Sequence, residues 1–139
     1  MKLNLKKKKK KPYTISKLKS RAQVLVNKFV KERDKLIDEN GNEYWICISC
    51  GKKTVNPNSG HYIPISVADH LRYNLDNISS QCITCNRFKE GYSVGYRVNL
   101  IKKISESNVI LLEEQCLSSD ITKLTLHDVL KIIKRFRKS

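Results

Sequence analysis

The chain has 139 residues, of which 28 are Lys or Arg and 13 are Asp or Glu, giving a formal charge of +15 on a composition that is 40% hydrophobic. That length accommodates one domain, with or without arms, and excludes a large multidomain enzyme. The charge excludes a protein that meets only neutral or cationic partners and implies a polyanion.

The longest apolar runs, such as Val109–Leu112, are far shorter than the ~20 residues of a membrane-spanning helix, so no bilayer crossing is expected. Met1–Lys11 is basic but lacks the apolar stretch and small-residue cleavage site of a signal peptide. The expected location is therefore the cytoplasm, where five cysteines read as metal ligands or thiols rather than disulfides. Lys6 to Lys11 are six consecutive lysines closed by Pro12, and like charges at that density resist packing. Residues 1–12 are expected to form a solvated arm, serving solubility or neutralising phosphates on a duplex.

In residues 13–40, Ile15, Leu18, Ala22, Leu25, Phe29 and Leu36 recur at helical steps, predicting one helix of about 20 residues. Thr14 or Ser16 can cap its first turn, and Glu39-Asn40-Gly41-Asn42 supplies a turn to stop it. Lys17, Lys19, Arg21, Lys28, Lys31 and Arg33 fall elsewhere on the helical wheel, as a solvated face or a nucleic-acid-binding one.

The segment 41–105 carries the chemistry. Glu43-Tyr44-Trp45-Ile46-Cys47 is short, aromatic and β-prone, and Ser59–Ile63 suits a second strand that Pro64 would end. Cys47 and Cys50 are separated by two residues, as are Cys82 and Cys85, with residues 51–81 between the pairs. Two such knuckles can place four sulfurs around one tetrahedral Zn²⁺, and Gly51 suits the tight turn. Four thiolates leave no open coordination position, so the ion is read as structural. A redox Cys-x-x-Cys is the competing reading, and duplication of the motif argues against it. The second pair is expected to open a helix, giving strand, strand and helix around a metal.

Val94–Ser105, Asn108–Cys116 and Leu126–Lys138 are expected to be helical, the last two within a 106–139 block. The last begins with a Thr125-x-x-Asp128 box, has Val129, Ile132, Ile133 and Phe136 on one stripe, and carries Lys131, Lys134, Arg135, Arg137 and Lys138 beside it. Cys116 reads as a packing residue. His61, between the cysteine pairs, is not needed to complete a four-cysteine site. Unassisted, it reads as readily as a gap-filling histidine.

Gly60-His61-Tyr62, Leu71-Arg72-Tyr73-Asn74-Leu75-Asp76-Asn77-Ile78 and Gln81-Cys82-Ile83-Thr84-Cys85-Asn86-Arg87 together resemble the NinG (Rap) family of lambdoid phage recombination proteins, within the wider HNH or ββα-metal nucleases. Ser16–Lys19, Phe29–Asp34 and Gly91–Ile104 share the likeness. It covers roughly residues 13–137 and is most specific between Cys47 and Arg97. Members often have a further cysteine cluster near the N-terminus, where this chain has its lysine run.

The resemblance implies an α+β fold, a small treble-clef, zinc-stapled ββα-metal core flanked by basic N- and C-terminal helices. It implies His61 as the general base, Asn77 as the asparagine that fixes the loop holding it, and Asn86 as a ligand of a catalytic Mg²⁺ or Mn²⁺. Gly60 stands where a related T4 junction-resolving enzyme has an acid ligand; His70, Asp69 and Asp76 are the candidates to replace it, with His70 favoured. Apart from the resemblance, Arg72, Arg87 and Lys89 are near enough in sequence to clamp phosphate or are plain surface charge, and Lys17, Lys19, Arg21, Lys134 and Arg135 are the candidate flanking nucleic-acid contacts. The expected function is a metal-dependent endonuclease on branched DNA such as Holliday junctions, encoded by a phage or prophage and acting as a homodimer. The alternative is a non-catalytic zinc-dependent DNA- or RNA-binding accessory protein of recombination.

Overall fold

The computed structural model describes residue 9 and residues 12–89, 93–118 and 123–137. The expected arm lies outside the described residues apart from Lys9 and Pro12, as does Lys138. Helix α1 spans Ile15–Asp34, and the Thr14 hydroxyl caps it by accepting from the Lys17 backbone N–H at 3.3 Å. Its buried face is Ala22, Val26 and Val30, with Leu18, Leu25 and Phe29 on the flanks. The apolar stripe read from sequence is therefore displaced: its centre runs through two valines, and Ile15 is exposed.

The helix stops at Asp34, six residues before the end of the predicted block. Leu36–Ile37 (β1) instead pairs antiparallel with Glu43–Ile46 (β2), matching Leu36 with Tyr44. Lys35 has already turned to extended backbone, and Asp38 Oδ1 accepts from the Asn40 and Asn42 amides at 2.9 Å. This Asx-type turn captures the chain as a hairpin, so the Asn-Gly segment closes a strand pair and does not end a helix. β2 also pairs with β3 (Lys53–Thr54), making a sheet of order β1-β2-β3.

The strand expected from Ser59 is observed as β4 (Asn58–His61), and its partner is β5 (Ile78–Gln81), in register from Asn58–Gln81 to His61–Ile78. The two strands anticipated from sequence therefore belong to different sheets. β5 reads Ile-Ser-Ser-Gln, with all four residues buried, and lacks the alternation that would have marked it. Two short 3₁₀ turns, Asp69–Leu71 and Leu75–Asn77, lie between β4 and β5. After Cys82 the chain forms a five-residue π-helical segment, Thr84–Phe88, in place of the expected α-helix.

Three helices follow: α2 (Ser93–Ile104), α3 (Glu106–Leu117) and α4 (Leu126–Phe136), close to their predicted bounds. Thr125 and Asp128 form the reciprocal capping box of α4. The packing forms two cores. In one, α4 lays Val129, Ile133 and Phe136 on α1, with Phe29 and Phe136 edge to face at 5.3 Å. In the other, Tyr96 and Leu100 of α2 and Val109 and Leu112 of α3 enclose Ile63, Ala68 and Leu71. The 60s–70s segment bearing the candidate site runs between them. Among the described residues no helix is long and apolar enough to cross a membrane.

Candidate metal centre and the His61 loop

The first cysteine pair lies at the tip of the β2–β3 hairpin. Cys47 N–H donates to Lys52 O and Gly51 N–H to Cys47 O, each at 2.9 Å, while Gly51 adopts φ +75° to make the turn. Ile48 N–H donates to Ser80 O at 3.0 Å and Asn99 Nδ2 to Ile48 O at 2.7 Å, fastening the tip to β5 and α2. β5 in turn delivers Cys82, and the π-helical segment holds Cys85. The four sulfurs of Cys47, Cys50, Cys82 and Cys85 lie within 4.8 Å of one another, and Cys50 and Cys82 are 3.9 Å apart. This matches the spacing expected around a tetrahedral zinc with ~2.3 Å bonds.

Electrostatics support the fit. Burial pushes the Cys85 thiol up, as do the sulfurs of Cys82 and Cys50 beside it. At Cys47 burial acts in the same direction, but the backbone N–H groups of Cys82, Cys50 and Ser49 outweigh it and bring the thiol below its ordinary value. Sulfurs this close repel one another's negative charge. That is the arrangement a divalent metal resolves. Cys116 packs half-buried against the second core, apart from this cluster.

His61 ends β4, half-buried, with Nε2 2.9 Å from the carbonyl oxygen of Arg72. A carbonyl only accepts, so Nε2 carries the proton and the Nδ1 lone pair is left as the basic position. Burial, opposed by the Arg72 carbonyl and aided by the Arg72 charge, lowers the ring's pKa below 6.5. Asn77, fully buried, fixes this loop: its Oδ1 accepts from Ile63 N–H at 2.8 Å, and Nδ2 donates to Ile63 O at 3.1 Å and Leu71 O at 3.2 Å. One amide thus ties both ends of the segment between His61 and Arg72. The Tyr96 hydroxyl, also buried, donates to Gly60 O at 2.7 Å.

The other predicted residues are dispersed around this centre. Asn86 is half-buried on the π-helical segment, with no hydrogen bond to its side chain among the described residues; Arg87 and Lys89 are exposed nearby in sequence. His70 turns its Nε2 to Gln115 O of α3 at 3.0 Å and lines a cleft with Asp128 and Lys131 of α4. Asp69 is held by Lys19 at 2.6 Å and Arg72 at 3.1 Å; Asp76 is exposed. Arg72 faces inward, to Asp69 and to Gln23 Oε1 at 3.3 Å. Lys17, Arg21, Lys134 and Arg135 are exposed on α1 and α4.

Sequence reasoning missed Tyr96, Gln23 and Gln81. Lys19, Gln23 and Asn27 form an i, i+4, i+8 seam on α1, a polar periodicity that was readable. Tyr96 gave no signal.

At Gly60, a Cβ would overlap the Gln81 side chain, whose Nε2 donates to Ser49 Oγ at 2.7 Å. The position without an acid is thus filled from across the sheet.

Fold and site define a small α+β protein with a four-cysteine cluster that could hold a metal and a separate, clamped histidine loop. The family model described as the bacteriophage lambda NinG protein matches residues 1–139, and the chain belongs to the NinG family. "Protein ninG" of Escherichia phage lambda is 41% identical over 93 residues, covering 66% of this chain and 42% of the relative. The same-named proteins of Escherichia phage 933W and Salmonella phage P22 are each 40% identical over the same shares. The aligned part thus spans about two fifths of these relatives. No solved structure matches the chain.

Proposed function

We propose that this chain is a metal-dependent endonuclease of phage recombination that hydrolyses phosphodiester bonds in branched DNA, with the HNH-type arrangement implied by its resemblance. The observation that carries the reading is the His61 ring, whose Nε2 is committed to the Arg72 carbonyl. The remaining nitrogen is the base needed to take a proton from water attacking phosphorus. Burial keeps that ring neutral near pH 7, so it begins the cycle as a proton acceptor. The Asn77 clamp supports the same role by holding the loop still, because a base is effective only at hydrogen-bond distance from its water.

Asn86, with its uncommitted amide, offers an oxygen to a hard cation such as Mg²⁺ or Mn²⁺, which would stabilise charge on the phosphoryl and leaving oxygens. The four cysteines would hold a separate, structural zinc. The exposed cations of α1 and α4, with Arg87 and Lys89, suit a phosphate backbone, and the +15 charge supports DNA as the polyanion. A two-fold junction suits a homodimer.

The test is cleavage of labelled junction, flap and linear duplex with Mg²⁺, with Mn²⁺ and with chelator. Wild type should cleave only with the cation, and His61→Ala should lose at least a hundredfold in rate while binding unchanged. Because the folded ring titrates below 6.5, the acidic limb of log rate should also fall below that pH, with a plateau above. Tight junction binding without cleavage under every condition would leave the non-catalytic zinc-dependent binding module as the better account.

A further inference from the structure

Lys19 and Arg72 meet on one carboxylate: Asp69 Oδ2 is 2.6 Å from Lys19 Nζ, and Oδ1 is 3.1 Å from Arg72 Nη1. The Arg72 guanidinium is also held from behind, and Lys19 is anchored through its backbone. Gln23 Oε1 accepts from Arg72 Nε, the Arg72 guanidinium lies 5.3 Å from the Tyr73 ring centroid, and the Tyr73 hydroxyl donates to Lys19 O at 2.8 Å. The Asp69 side chain has only those two cations as partners among the described residues, and it is the outermost member, 39% exposed against 23% for Lys19 and 14% for Arg72. The Arg72 side of the cradle is therefore fixed, the Lys19 side is tethered at its backbone, and the anion is replaceable, since a partly exposed ion pair is weak.

Two oxygens of one singly charged group, each facing one cation, is the pattern presented by the non-bridging oxygens of a phosphodiester. With Asp69 in place the cluster carries one net positive charge; with the carboxylate swung into solvent it offers two cations. The subsite adjoins the candidate base, because the Arg72 whose side chain forms it also holds His61 Nε2 through its carbonyl.

We propose that Lys19 and Arg72 form a phosphate-binding subsite next to His61, and that Asp69 occupies it as an internal stand-in until a nucleic-acid phosphodiester displaces it. This rests on the nucleic-acid reading above and adds a self-competing anion to it. DNA must remove Asp69 before engaging the subsite, which favours ligands with several simultaneous contacts over isolated phosphate.

Equilibrium binding of a fluorescent DNA duplex to the zinc-loaded protein, with Mg²⁺ and Mn²⁺ left out of the buffer, tests this without cleavage. Asp69→Asn keeps the shape and removes the competing charge. It should tighten Kd at least threefold at low salt and steepen the slope of log K against log salt by about one. Lys19→Met added to Asp69→Asn should abolish the gain, and Glu114→Gln, neutralising an exposed acid on α3, should not reproduce it. A folded Asp69→Asn that binds no more tightly, or a gain matched by Glu114→Gln, overturns the proposal. Should Asp69→Asn not fold, Lys19→Met alone should weaken binding about threefold, and unchanged binding overturns it equally.

Inorganic phosphate in a thermal melt separates the two readings. If it stabilises Asp69→Asn more than wild type while neither binds DNA, the subsite stands and the nucleic-acid reading falls. If DNA binds but neither probe responds to Asp69→Asn, the subsite falls and the DNA reading stands.

Discussion

Gly60 and Gln81 illustrate how one residue's identity is set by another distant in sequence. The register places Gly60 opposite Ser79, two positions from Gln81 and on the same face of the sheet, so the Gln81 amide fills the volume a side chain at 60 would need. Gln81 is buried and bonded to Ser49 Oγ, so it does not swing aside freely. Gly60→Ala is accordingly expected to destabilise the fold by about 1–3 kcal/mol, as overpacking does. The same substitution in a Gln81→Ala background should cost at least 1 kcal/mol less, by urea unfolding in a double-mutant cycle. Equal costs in both backgrounds would show that the two side chains do not compete for that space. His61 differs: its residue type suggested a base, but its tautomer depends on a carbonyl eleven residues away.

Among elements, the end of α1 is decided by what the next side chains can reach. Asp34 is only 11% exposed at its side chain, yet it accepts from Arg33 Nε at 2.8 Å, Lys103 Nζ at 2.9 Å and the Ser80 amide at 2.9 Å. One carboxylate thereby joins α1, α2 and β5. Arg33 extends the junction by donating to Leu75 O and Ile78 O. Burial alone would raise the Asp34 pKa, but the hydrogen bond from Arg33 and the charge and bond of Lys103 outweigh it, so the group titrates below 3.8. A carboxyl depressed in the folded state stabilises fully above its unfolded value and loses that contribution as pH falls through the folded one. Asp34→Asn should therefore cost about 2 kcal/mol at pH 7. The gap to wild type should close progressively below pH 3.8, measured by urea unfolding between pH 2 and 7. A gap independent of pH would mean that packing, not charge, holds this junction.

For the whole molecule, the question is what keeps two small cores in register. The cysteine centre lies where the β2–β3 tip, the end of β5 and the π-helical segment converge, and α2 reaches it through Asn99. None of these elements exceeds five residues except α2, so none persists alone in water. A structural zinc contributes its binding energy directly to such a fold. The purified chain should contain one zinc, and its removal by a strong chelator, or Cys82→Ser, should abolish the cooperative thermal transition. An unchanged melt after verified metal loss would mean that the α1–α4 and α2–α3 cores stand without the metal.

Local chemistry made much of this readable from sequence. The duplicated Cys-x-x-Cys pairs, the Thr14 and Thr125 caps, and the periodic face of α4 each depend on neighbours within about four residues, and they stand where expected. β5 was not legible, because a four-residue polar strand buried on both faces has no period to betray it. The end of α1 was missed for a related reason: Leu36 continues a helical stripe numerically, and only its pairing with Tyr44 makes it a strand. By itself the sequence determined the four-cysteine set that could hold a metal, the basic character and the four α-helices, because these follow from residue type and short spacing. Tertiary structure alone decided which strands pair, which proton His61 carries and which carboxylate occupies the Lys19–Arg72 cradle, because each requires groups six to fifty residues apart to be brought to hydrogen-bond distance.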